Sequence, residues 1–316
     1  ERSKIIQFLF DQQWQALKRY ASERTVRLFG DMPIYISLDS SDAWVHPEIL
    51  LINEDVRPSH VAGVPPDYFS EDGQLWGNPL YDWSYHKSTG FQWWIERMRH
   101  ALDQLDLVRI DHFRGFEAYW SVAFESSTAR GGEWMPGPGS ALFESMESAL
   151  GEVPIVAEDL GIITPEVDDL RYRHQIPGMK VLQFEVADTE FDPEDMPAQC
   201  VCYTGTHDND TTAGWFNGGD QDTRSDEETI ETQRNVLRLT GGTAETIHMD
   251  MVRLALNSPA RLVIAPLQDF LGLGSEARMN VPGTTLDNWR WRVVEEQLAG
   301  GFCESVADII RETRRA

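Results

Sequence analysis

Leu107-Val108-Arg109-Ile110-Asp111-His112, Ile155-Val156-Ala157-Glu158-Asp159-Leu160-Gly161 and Cys202-Tyr203-Thr204-Gly205-Thr206-His207-Asp208-Asn209-Asp210 decide the reading of this chain. In each, apolar β-forming residues run into acidic ones, which predicts carboxylates delivered at the C-terminal ends of strands. In a parallel barrel that end is where the chemistry happens. Three carboxylates presented this way suit cleavage of a glycosidic bond, which needs one ionised and one protonated carboxyl across the bond.

Outward from these segments the pattern alternates. Residues 4–22 carry Ile5, Ile6, Phe8, Leu9, Trp14 and Leu17 at helical spacing. Met32-Pro33-Ile34-Tyr35-Ile36 reads as a buried strand, 91–104 as a helix and 106–111 as a strand. Residues 140–150 read as a helix with Ser140 as N-cap and Gly151 as stop, followed by a strand at 154–158. A short helix at 165–174 precedes strands at 178–184 and 200–205. Helices follow at 225–239 and 243–257, then a strand at 260–265 and a terminal helix at 303–314. Strands separated by helices predict parallel βαβ units. The fold class expected is therefore α/β, a TIM (β/α)8 barrel. Only six of its eight strands are counted, so either two are missing upstream or the sheet is open. The abrupt start, inside a helix and without Met, favours the first: strands 3 to 8 present, the first two absent. Residues 1–316 then form the C-terminal part of one catalytic barrel. A loop-rich insertion interrupts it at 39–90, and loops of that length inside a domain are usually functional.

Composition bounds the partners. Of 316 residues 41% are hydrophobic and 25% charged, as in ordinary globular proteins, but the net charge is −25. That balance argues against a nucleic-acid or anionic-membrane partner, whereas a neutral sugar is indifferent to it. Cys200, Cys202 and Cys303 are too few and wrongly spaced for a disulfide framework or a zinc knuckle, and Cys200 and Cys202 read as buried thiols on one strand. No signal-peptide pattern and no spanning apolar run is found, so the expected compartment is the cytoplasm.

Side chains alternate faces along a strand, so Arg109 and Asp111 share one face while Val108 and Ile110 share the other. A neighbouring guanidinium favours the ionised carboxylate, as a nucleophile requires; the plainer alternative is a structural ion pair. Glu158 emerges from three apolar residues, and desolvation there raises a carboxyl's pKa and keeps it protonated, as a general acid requires. Asp159 competes, although it should face the other way. His207-Asp208-Asn209-Asp210 reads either as a metal site or as hydrogen-bonding groups for sugar hydroxyls; no second His cluster accompanies it. Trp93 and Trp94 read as packing residues. Tyr68, Phe69 and Trp76 crowd a Gly- and Pro-rich loop, where aromatic faces could stack on pyranose rings.

Longer strings then carry a resemblance. They are GDMPIYISLDSSDAW at 30–44, AGVPPDYFSEDGQLWGNPLYDW at 62–83, VRIDHFRGFEAYW at 108–120, VAEDLGIIT at 156–164, YTGTHDNDT at 203–211, LGLGSEARMNVPGT at 271–284 and NWRWR at 288–292. In this order the chain resembles the amylomaltase, or 4-α-glucanotransferase, family of the α-amylase superfamily. The resemblance implies Asp111 as nucleophile, Glu158 as general acid/base and Asp208 as the third carboxylate, holding hydroxyls of the donor sugar. It implies Arg109 and His207 as direct supports, and Tyr68, Phe69, Gln74 and Trp76 as the loop shaping the acceptor side. Asn280 would be a further sugar contact. The implied partner is an α-1,4-glucan or maltooligosaccharide, with no cofactor and no metal. Family members also carry an N-terminal portion, supplying two barrel strands, that nothing here matches. The activity expected is transfer of glucan segments. The alternatives are an α-glucan hydrolase, a truncated glucan-binding remnant without catalysis, and a metal-dependent hydrolase.

Overall fold

Val108 and Ile110 have no exposed surface, and their burial fixes the strand around which the first half of the chain is built. The computed structural model describes all residues except 67–70, 220–221, 314 and 316. They fall into two units, Glu1–Gly178 and Met179–Ala316.

In the first unit β1 is Phe29–Pro33, β2 His60–Val64, β3 Gln74–Pro79, β4 Leu107–Asp111, β5 Ala118–Ala123, β6 Glu133–Pro136 and β7 Ile155–Ala157. β4 lies between β1 and β7, parallel to both, with Asp31 opposite Arg109 and Ile110 opposite Ala157. The helix Gln92–Gln104 buries Trp94 and Met98, four residues apart and therefore on one face. The helix Ser140–Leu150 likewise buries Leu142, Phe143 and Met146. Trp94 packs at ring distances of 5.3 Å from Phe116 and 5.4 Å from Tyr81, so it is a core residue. Trp93 packs at the margin of the same core.

The insertion at 39–90 is not the open loop that its Pro, Gly and Asp content predicts. It holds short helices at Ser41–Val45 and Trp83–Ser88 together with β2 and β3. These strands join β5 and β6 in an antiparallel sheet of order β3-β2-β5-β6. Ser40 accepts a hydrogen bond from Ala43 N, and Asp82 from Ser84 N and Tyr85 N, so two residues that read as loop are helix caps.

In the second unit, which begins within β8 (Gly178–Val181), β9 (Cys200–Tyr203) and β10 (Leu262–Ile264) complete a sheet of order β10-β9-β8. All four residues of β9 are buried, including Cys200 and Cys202, while Cys303 is exposed. Leu182, Val186, Val236, Met251 and Ala255 form the core beside it. The helix Asp226–Thr240 opens on a reciprocal pair between Ser225 and Glu228, and Gly241 ends it at φ 67°.

Several boundaries differ from expectation; the helix predicted at 243–257, for one, begins only at Ile247. The strand predicted at 32–36 is β1, Phe29–Pro33; it stops at the proline, and Ile34, Tyr35 and Ile36 are buried beyond it. The strand predicted at 178–184 ends at Val181, and Leu182–Glu185 turns helical. Gly139, not Ser140, occupies the N-cap of the Ser140–Leu150 helix, at φ 58°, where glycine escapes the strain of other residues. The first helix runs Arg2–Ser22 and leaves Ile5, Ile6, Phe8, Leu9 and Phe10 exposed. Among the described residues, no helix is long and apolar enough to cross a membrane.

Candidate active site

Asp111 is the last residue of β4, and Glu158 follows the last residue of β7. Pairing of these two strands brings the carboxyls to the same end of the sheet. Arg109, two residues before Asp111, has a buried side chain. Its Nε and Nη2 donate to Asp31 Oδ1 and Oδ2 at 2.8 and 2.6 Å, and Nη2 lies 3.6 Å from Asp111 Oδ1. Arg109 therefore spans two carboxylates, holding Asp31 in a two-pronged pair while setting its charge beside Asp111. Asp31 had no sequence signal of its own. It becomes visible only through the register of β1 on β4.

Glu158 is held by its own backbone surroundings. His112 N donates to Oε2 at 2.7 Å and Leu160 N to Oε1 at 3.0 Å. His112, whose N–H meets Glu158, adopts the left-handed conformation, φ 53°. That conformation is costly for a residue with a side chain, and such strain concentrates at functional sites. Burial, reinforced by the negative charge of Asp111, pushes the Glu158 pKa up to about 7. The two N–H donors and Arg109 oppose the rise without cancelling it. The His112 imidazole is pulled down to about 3 by burial and by Arg114, so it stays neutral and adds no positive charge beside Glu158. Asp159 turns elsewhere, to Arg171 at 3.3 Å.

Trp76 lies on β3 rather than in a loop, and its ring meets His112 edge-on at 4.7 Å. Gln74, exposed on the same strand, accepts from Trp76 Nε1 at 3.1 Å. Trp76 thus borders the residue that follows Asp111. Tyr68 and Phe69 lie outside the described residues.

In the second unit Asp208 sits five residues beyond the end of β9, on a loop rather than at the strand end. Asp269, almost fully buried, pins both ends of that loop. Its Oδ2 accepts from Thr204 Oγ1 at 2.6 Å and Thr212 Oγ1 at 2.9 Å, and its Oδ1 from Thr212 N at 2.8 Å. Within the loop Asn209 Oδ1 accepts from Thr206 N and Oγ1. Asn280 Nδ2 donates to Asp208 Oδ1 at 2.6 Å, and His207 Nε2 lies 3.4 Å from Asp208 Oδ2. Arg278 Nη2 donates to Asp208 O, so the backbone is held as firmly as the carboxylate. The predicted residues His207, Asp208 and Asn280 are therefore neighbours. Arg278 and Asp269, which support them, were not singled out in the sequence; neither side chain stands on a strand end. Among the described residues no group of three or more His, Cys, Asp or Glu side chains is arranged to hold a metal ion.

A carboxyl that keeps its proton near neutrality beside a second carboxylate is the equipment of acid-assisted displacement at a sugar carbon. A family model described as 4-alpha-glucanotransferase matches residues 1–296. The chain is 50% identical over 303 residues to a 4-alpha-glucanotransferase of Synechocystis, covering 93% of this chain and 58% of the relative. It is 48% identical over 300 residues to the Thermus thermophilus 4-alpha-glucanotransferase, covering 93% and 59%. Its fold is α/β and similar to that of the amylomaltase from Streptococcus agalactiae in complex with acarbose. There the TM-score is 0.89 at 36% identity, over 98% of this chain and 62% of that one. The chain belongs to the 4-alpha-glucanotransferase family, and it spans a little under three fifths of the length of these two curated relatives.

Proposed function

We propose that this chain carries the catalytic residues of a 4-α-glucanotransferase that moves segments of α-1,4-glucan by retaining double displacement. The observation that carries the reading is the Glu158 carboxyl, held near pKa 7 in the company of Asp111. Asp111 attacks the anomeric carbon while Glu158 gives its proton to the glycosidic oxygen, releasing the leaving chain with a free 4-hydroxyl. The sugar is then joined to Asp111 as an ester-like intermediate. The 4-hydroxyl of an acceptor glucose or oligosaccharide next loses its proton to Glu158 and displaces Asp111 as carboxylate. Two inversions give net retention. Asp208, His207 and Asn280 are assigned to hydroxyls of the donor sugar, and Arg109 to the support of Asp111. Tyr68, Phe69, Gln74 and Trp76 are assigned to the acceptor side, where exclusion of water favours transfer over hydrolysis.

The same reading makes residues 1–316 the C-terminal part of a (β/α)8 barrel, with strands 3 to 8 present. Two sheets whose strand order follows chain order support it, as do the exposed apolar side chains of the Arg2–Ser22 helix. No cofactor enters the chemistry.

Maltotriose tests the activity. Transfer yields glucose together with maltopentaose and longer products, hydrolysis yields only shorter ones, and binding without turnover marks a non-catalytic remnant. Trp76→Ala is expected to raise the ratio of hydrolysis to transfer severalfold, and an unchanged ratio removes Trp76 from the acceptor side. Asp31→Asn is expected to lower kcat about tenfold with little change in KM, because Arg109 loses one of its two prongs and shifts relative to Asp111. A proportionate rise in KM instead would mean that Asp31 serves binding and not the position of Arg109.

A further inference from the structure

Trp289, within the string NWRWR, belongs to no part of the site described above, yet several contacts hold it beside His207. The residue is 58% exposed, and its ring centroid lies 5.2 Å from that of His207. A single exposed apolar ring is ordinary. The backbone beneath this one is not, since Trp289 stands at φ 61°, two residues after Asp287 at φ 64°. Conformations of that kind persist in bulky residues only where the surroundings enforce them. The enforcing contacts are on view. Trp289 N donates to Met279 O at 2.6 Å. Asn288 Oδ1 accepts from Val281 N, and its Nδ2 donates to Thr284 O and Oγ1. Met279 is the neighbour of Asn280, whose Nδ2 reaches Asp208 Oδ1 and whose N donates to His207 O at 3.1 Å. One knot of hydrogen bonds therefore sets a carboxylate, an amide, an imidazole and an indole in mutual register.

We infer that Trp289 is a stacking platform for a glucose residue of the α-1,4-glucan whose hydroxyls are held by Asp208 and Asn280. The inference rests on the assignment of Asp208 to sugar hydroxyls made above. A pyranose has polar equatorial hydroxyls at its rim and an apolar C–H face. The rim matches Asp208, Asn280 and His207, and the face matches an exposed indole, which combines a large apolar surface with little conformational entropy to lose. Packing against His207 leaves Trp289 more than half exposed, whereas a residue serving only to wedge His207 would be covered.

The test is titration of the full chain with maltoheptaose, followed by calorimetry and by the indole N–H resonances of protein labelled at tryptophan. The Trp289 resonance is identified as the one missing from Trp289→Phe. It is expected to move on titration, and Trp289→Ala is expected to weaken binding about tenfold with the melting temperature unchanged. Asp208→Asn serves as the control for the underlying assignment. If Asp208→Asn loses affinity while the Trp289 resonance stays still and Trp289→Ala binds as wild type, the platform is overturned and the hydroxyl assignment stands. If Asp208→Asn binds as wild type, or wild type does not bind at all, both are overturned. A Trp289→Ala chain that loses affinity together with its cooperative melt is judged on the Trp289 resonance of the intact protein, which does not depend on the variant's stability.

Discussion

Asp111→Asn is expected to lower the rate of maltotriose disproportionation at least about a thousandfold, the scale on which enzymes lose kcat with their covalent nucleophile. The amide keeps the shape of the carboxylate and can still meet Arg109, but it cannot form and later release the bond to the anomeric carbon. KM should change little, because the loss falls on a step after binding. A second substitution separates nucleophile from scaffold. With Asp111→Gly, an α-glucosyl fluoride and azide, the small anion takes the vacated face and the product is the β-glucosyl azide, from a single inversion. With Glu158→Gly the nucleophile remains, and azide attacks the sugar–Asp111 intermediate to give the α-azide. Retention of a tenth of the activity by Asp111→Asn, or the opposite pairing of anomers, would show that the carboxylates have been assigned the wrong way round. The substitution also reaches Glu158, since the charge of Asp111 is one of the two causes that raise its pKa. In Asp111→Asn the Glu158 pKa is expected to fall back toward the ordinary glutamate range.

What was legible in the sequence follows the range of the interactions concerned. Arg109 and Asp111 share a face because of a two-residue period, which is local, and their proximity could be read directly. Glu158 could be read as a desolvated acid from the three apolar residues before it. Asp31 could not, because its partner is 78 positions away and only the register of two strands joins them. The same limit applies to Asp269, whose three donors come from Thr204 and Thr212. The antiparallel sheet was hidden for a different reason. β2 contains Gly63 and β3 contains Gly77 and a terminal Pro79, and most of β3 is exposed, so neither alternation nor an apolar run announces a strand. Gly63 is there for packing: a Cβ at that position would lie 2.5 Å from Gln74 O, so β3 can approach β2 only against a glycine. Family membership, in contrast, was carried by long strings such as VRIDHFRGFEAYW and YTGTHDNDT, whose specificity does not depend on any structural prediction.

Glu158→Gln should do two opposite things, and their combination distinguishes a working acid from a structural carboxyl. Activity toward maltotriose should fall at least about a thousandfold, because the first step loses its proton donor and the second its base. Turnover of an α-glucosyl fluoride should be spared in the first step, since fluoride leaves without protonation. Stability should move the other way. In the unfolded chain a glutamate ionises near 4.5, while in the folded protein Glu158 holds its proton to about 7. Between those values the folded state binds the extra proton, so wild-type stability declines as pH rises from about 4.5 through 7. Below that window the group is protonated in both states and contributes no penalty. Above it the full penalty applies, on the order of 3 kcal/mol. Glutamine never ionises and escapes the decline. It does keep only one acceptor for the two donors His112 N and Leu160 N, a fixed cost of about 1 kcal/mol that does not vary with pH. The difference in melting temperature between variant and wild type should therefore increase between pH 5 and pH 8, with the variant the more stable at the upper end. A difference that stays flat across that range would mean that Glu158 is already ionised at pH 5. The acid assigned to the first step would then be absent at the pH where the enzyme has to work.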